Sequence, residues 1–175
     1  MWLQVNPTMM DLRLLGVIAA LSTVAALASA AVAQGDEVTQ RAMIAKWAGS
    51  YNTGSFLKEP AVHTELQKLL GTELDHLMHN LDVRGAVDLS SETLSVNGNA
   101  PHQGTEEEAI VCVTVLPSNT IVEAAILSKG AVMVFTRAEK YEYASICIKD
   151  WITLANSGHA DRVHQPANVQ VVTPK

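Results

Sequence analysis

One histidine in this chain sits where its imidazole would be presented rather than packed. His102 lies in the octapeptide Asn97-Gly98-Asn99-Ala100-Pro101-His102-Gln103-Gly104, between two segments that read as strands. Gly98 and Gly104 open backbone angles closed to other residues, Asn97 and Asn99 favour turns, and Pro101 fixes its own φ while holding Ala100 extended. A loop built this way is stiff. A stiff loop that already holds its side chain in the bound position loses little entropy on docking. The chemistry on offer is recognition, an imidazole inserted into the cleft of another macromolecule; the alternative is an ordinary surface-loop histidine.

Glu106, Glu107 and Glu108 follow closely. Three consecutive carboxylates at the start of a strand read as a solvated negative rim, which would also steer a cationic partner towards His102. Their spacing from His102 matches no zinc or calcium pattern. His76 and His79 share a helix face with Glu73, as a surface metal clip or, more simply, a solvated face. His159 and His164 have no carboxylate or thiol at ligand spacing. The chain has no Gly-x-Ser-x-Gly elbow, Cys-x-x-Cys pair, P-loop or dinucleotide fingerprint, so neither an enzyme nor a cofactor is expected.

The elements that must position the loop follow from hydrophobic period. Glu37 to Trp47 reads as a first helix with Val38, Ala42, Ile44, Ala45 and Trp47 as its apolar positions, and Gly49 to Ser55 reads as a loop. Pro60 opens a second helix with Val62, Leu66, Leu69 and Leu70 on one face, and Gly71 ends it. A third helix runs from Thr72, its cap, to Asn80, with Leu74, Leu77, Met78 and Leu81 apolar. The period then changes to that of strands. Ala86–Leu89 and Thr93–Val96 form a small hairpin, and Ala109–Leu116, Thr120–Ser128 and Ala131–Arg137 continue an antiparallel meander. Ile148 to Ala155 is a last helix. The fold class is α+β, a central antiparallel sheet of about five strands flanked by short helices. Trp47, Tyr51, Phe56 and Trp151 read as core anchors.

Of 175 residues, 18 are acidic and 12 basic, a net charge of −6. An acidic domain repels nucleic acid and attracts cationic partners. The apolar run Leu14–Leu27 after Arg13, with Ala31-Val32-Ala33 behind it, reads as a signal peptide over residues 1–33, cleaved before Gln34. No stable membrane insertion is expected after its removal. Residues 34–158 then form one domain, and 159–175 an extended or partly disordered tail in which Val169, Val171 and Val172 could pair as an edge strand. The two cysteines, Cys112 and Cys147, either pair in an oxidising compartment or are two small buried hydrophobes.

Phe56-Leu57 with Pro60, Leu69-Leu70-Gly71, Asn80-Leu81-Asp82-Val83-Arg84-Gly85, Ala100-Pro101-His102-Gln103 and Ala124-Ala125-Ile126-Leu127 together resemble the inhibitor of vertebrate lysozyme family. The resemblance covers most of Phe56 to Trp151. It implies a periplasmic α+β domain whose Pro-His loop enters the cleft of c-type lysozyme, with His102 between the two catalytic carboxylates. It also implies that Asn99, Ala100, Pro101, Gln103, Gly104 and Glu106 to Glu108 surround the contact, that the domain can dimerise, and that related lytic transglycosylases are alternative targets. Family members commonly brace this loop with a disulfide, whereas the matching positions here carry Asn99 and Gly104. The rival reading is a periplasmic adaptor that binds a protein partner through its sheet edge and tail, with His102 incidental.

Overall fold

The computed structural model describes residues 37–117, 119–157 and 167–174. The leader read over residues 1–33, its cleavage point, and His159 and His164 lie outside them. The order of elements is α1 (37–47), α2 (Thr53–Leu57), α3 (Pro60–Leu70), a 3₁₀ turn (Gly71–Glu73), α4 (Leu74–His79), six strands, a second 3₁₀ turn (Tyr141–Tyr143), α5 (Ile146–Ala155) and a last strand. The strands are β1 (Val83–Arg84), β2 (Asp88–Ser90), β3 (Thr93–Asn99), β4 (Glu107–Leu116), β5 (Asn119–Ser128), β6 (Ala131–Phe135) and β7 (Val169–Val172). They form one seven-stranded sheet in the order β1-β3-β4-β5-β6-β7, with β2 also paired to β3. The sheet is larger than the five strands expected. It is also not wholly antiparallel, because β7 runs parallel to β6.

Strand alternation splits the core in two. Odd-numbered positions of β4 (Ala109, Val111, Val113, Val115) face α1–α4 with Trp47, Phe56, Leu66 and Leu77. Even-numbered Ile110 and Cys112 face α5 with Ile148, Trp151 and Ile152. Both faces of the central strands are therefore largely dry, which is why Ala109–Val113 of β4 and Ala124–Leu127 of β5 are apolar at successive positions. Cys112 and Cys147 are joined in a disulfide that ties α5 to β4. Ser145 caps α5 through its hydroxyl, and the buried Glu123 carboxylate accepts from the Ser145 amide at 3.0 Å.

Several local readings are corrected. The buried face of α1 is Gln40, Met43, Ile44 and Trp47, while Val38, Ala42 and Ala45 face outward. Gln40 can be buried because its amide donates to the Val115 carbonyl at 2.6 Å. The stretch read as loop over 49–55 contains the start of α2, and Tyr51, read as a core anchor, is 85% exposed. Thr72 caps nothing, since the chain passes through the 3₁₀ turn directly into α4. β3 runs on to Asn99 and β4 starts at Glu107, so the connection that carries His102 is shorter than the octapeptide suggested.

Candidate functional site

The β3–β4 register sets the site. Asn99 pairs with Glu108, and the Ala100 amide donates to the Glu107 carbonyl at 3.0 Å, which leaves Pro101 to Glu106 as the loop proper. All six of these residues are exposed, above a fully buried Ala100. The Gln103 amide returns to the Ala100 carbonyl at 3.1 Å and closes a four-residue turn. Pro101 holds the second position, and His102 the third with φ of 62°. Proline cannot take positive φ, so this is the type II pattern, whose third position ordinarily belongs to glycine. His102 thus occupies a left-handed conformation at the tip, at a cost of about 1 kcal/mol.

The rest of the loop is pinned by short bonds. The Gln103 carbonyl accepts from the amides of Glu106 (3.2 Å) and Glu107 (3.0 Å). Thr105, at φ 73°, donates its amide to the Glu108 carboxylate at 2.8 Å. The Asn99 side-chain amide donates to the Ala100 carbonyl at 2.8 Å. Gly98 and Gly104 do not supply the unusual angles; His102 and Thr105 do. Gly98 is needed for a different reason, since a Cβ there would stand 2.5 Å from the Val83 carbonyl oxygen on β1.

The three glutamates part company. Glu106 is exposed, and Glu108 faces the loop and caps Thr105. Glu107 turns away from solvent: its carboxylate accepts from Ser128 Oγ at 2.7 Å and Asn80 Nδ2 at 3.2 Å, and lies 3.1 Å from His76 Nε2. Burial opposes its ionisation most strongly, but the bonds from Ser128, His76 and Asn80 together outweigh that and hold its carboxyl below the usual range. The solvated rim therefore reduces to Glu106 with Glu108. His76 lies on no free helix face, because its Nδ1 is 3.3 Å from Glu73 Oε2 while Nε2 meets Glu107. Its partner at i+3, His79, stays exposed beside Asp82 at 3.1 Å. Among the described residues no group of three or more His, Cys, Asp or Glu is placed to hold a metal ion.

The fold is a three-layer α+β domain whose central hairpin raises one strained histidine on a pinned loop. The family model described as inhibitor of vertebrate lysozyme (Ivy) matches residues 61–156, more than half of the 175-residue chain, and the chain belongs to that family. The match spans α3 to α5 and includes the whole loop. No curated protein and no solved structure matches the chain. No helix of the described residues is long and apolar enough to cross a membrane.

Proposed function

We propose that this protein is an exported, non-enzymatic inhibitor of a c-type lysozyme or a related peptidoglycan-cleaving glycosidase, acting by insertion of the His102 loop into the active cleft. The observation that carries the reading is His102 itself, exposed at the tip of a turn that holds it at φ 62°, in a chain of the lysozyme-inhibitor family. A retaining glycosidase of the lysozyme type keeps one protonated and one ionised carboxylate in its cleft. An imidazole between them can accept from the first and donate to the second, while the loop occupies the space of the sugar. His102 is then a competitor for the cleft and carries out no chemistry.

Charge supports the same partner. Lysozyme is cationic and this chain carries a net charge of −6, so association is fast at low salt and weakens as salt rises. In this proposal residues 1–33 direct export to the periplasm and are removed before Gln34. The adaptor reading loses its simplest test, because residues 169–172 of the tail are a strand of the sheet and deleting the tail would damage the fold itself.

The test is lysis of a peptidoglycan suspension by c-type lysozyme, titrated with the purified protein and with its His102→Ala variant. Inhibition by the first, with a loss of about 2 to 4 kcal/mol in the second, is the expected result for a buried recognition residue. A loss of less than about tenfold would remove the insertion mechanism. No inhibition at micromolar excess would remove lysozyme as the target.

A further inference from the structure

We infer that Glu107 is the positioning residue of the His102 loop, a side-chain clamp that ties the loop's returning strand to α4 and to the end of β5. This deepens the proposed inhibitory role and rests on it for its functional consequence. Three observations converge on the clamp. The Glu107 backbone takes part in the loop at both ends, its carbonyl accepting from Ala100 and its amide donating to Gln103. Its carboxylate points the other way, into a half-buried polar cluster with Ser128, Asn80 and His76. The neighbouring β5–β6 turn adds a backbone bond, from the Lys129 amide to the Glu106 carbonyl at 3.1 Å.

The cluster is built from distant parts of the chain. His76 and Asn80 come from α4 and its C-terminal cap, and Ser128 is the last residue of β5. Asn80 is fully buried, and its amide also lies within bonding distance of the Glu108 and Leu127 carbonyls, at 3.4 and 3.3 Å, so it bridges β4 and β5 beneath the loop. Glu73 orients His76 from the far side. The strained backbone at His102 and Thr105 survives only if its surroundings hold it. In a loop without a covalent brace, the Glu107 carboxylate is the side-chain anchor that joins the strained segment to α4 and β5.

The experiment compares the purified protein with Glu107→Ala and Glu107→Gln by residue-resolved amide exchange, without any partner. In Glu107→Ala, exchange at Gln103, Thr105 and Glu106 is expected to rise by about tenfold or more while Val111 and Ala125 keep their protection, the signature of local opening. Glu107→Gln retains an acceptor for Asn80 and a donor for Ser128, and is expected to stay within about threefold of the parent. Unchanged loop exchange in the alanine variant overturns the inference, and so does an equal rise at the loop and at Val111. If the alanine variant does not fold, Ser128→Ala, which removes one bond, is read by the same comparison. In the lysozyme assay Glu107→Ala should weaken inhibition by about tenfold with Glu107→Gln close to the parent. A parent that fails to inhibit would remove the proposed function, while the exchange data would still decide the clamp.

Discussion

Asn99 and Gly104 face each other across the base of the His102 loop: a Cβ built on Gly104 would stand 3.9 Å from Asn99 Cγ and 3.8 Å from its Nδ2, with no other heavy atom nearer. Family resemblance implies a disulfide at these two positions, and the Asn99 side chain still lies against Gly104. Gly104 does not use the left-handed region, so a side chain is tolerated there. The double variant Asn99→Cys with Gly104→Cys is expected to oxidise spontaneously, as measured by loss of free thiol. The new short ring should stabilise the fold by about 2 kcal/mol on the chain-entropy account. It should also tighten lysozyme binding, mainly by slowing dissociation.

His102→Gly separates stability from recognition. Glycine takes the φ of 62° without a steric cost. Relief of that strain, partly offset by the greater freedom of glycine in the unfolded chain, should leave the variant as stable as the parent or more stable by up to about 1 kcal/mol. Denaturant unfolding measures this. Lysozyme inhibition should meanwhile be lost. A clear fall in stability would show that the left-handed conformation carries no strain.

Acid stability should depend on Glu107 and Glu65. Both carboxyls sit below their usual range, Glu107 because bonds from Ser128, His76 and Asn80 outweigh its burial, Glu65 because of bonds from Lys68 and Arg137. A lowered folded-state value means that the unfolded chain binds the proton more readily. The stability each contributes is therefore complete above the ordinary carboxylate range, and is lost as pH falls through the folded values. Unfolding followed from neutral pH into that range should show a flat region and then a fall. The fall should be shallower in Glu107→Gln. The Glu65 part rests on the exposed cations Lys68 and Arg137 and should fade in high salt.

Reduction of Cys112–Cys147 should loosen α5 and spare the loop. The bridge closes a sequence separation of 35 residues, for which chain entropy gives about 4 kcal/mol. Replacing both cysteines by alanine should lower the thermal midpoint markedly. The hydrogen bonds of the β3–β4 loop run to β4 and the β5–β6 turn rather than to α5, so the variant should still inhibit lysozyme at temperatures where it remains folded. Paired melting and inhibition measurements check this.

What was legible in the sequence was what repeats locally. The α3 face (Val62, Leu66, Leu69, Leu70) and the apolar stretches of β4 and β5 follow from period alone, and they are buried apart from Ile121 at the start of β5. Pro101 and His102 were legible as a presented turn because a four-residue motif contains its own geometry. The failures are long-range. Glu107 read as a surface charge because its partners His76 and Asn80 lie 31 and 27 residues away. Gln40 is absent from the apolar face read for the first helix, because the Val115 carbonyl that lets its amide be buried lies 75 residues on. Gly98 suggested a turn because nothing nearby in the chain reveals that β1 passes against it.

β7 closes the sheet at the side of β6, and its register runs Val132 with Val169 through Phe135 with Val172. The last strand of the chain in sequence thus covers the edge of Ala-Val-Met-Val-Phe, a five-residue segment with every feature of a sticky strand. A nascent chain carries that segment bare until residues 169–172 are made. A nonsense mutation upstream of Val169 would consequently uncover the β6 edge and yield an aggregating species rather than a shorter folded domain.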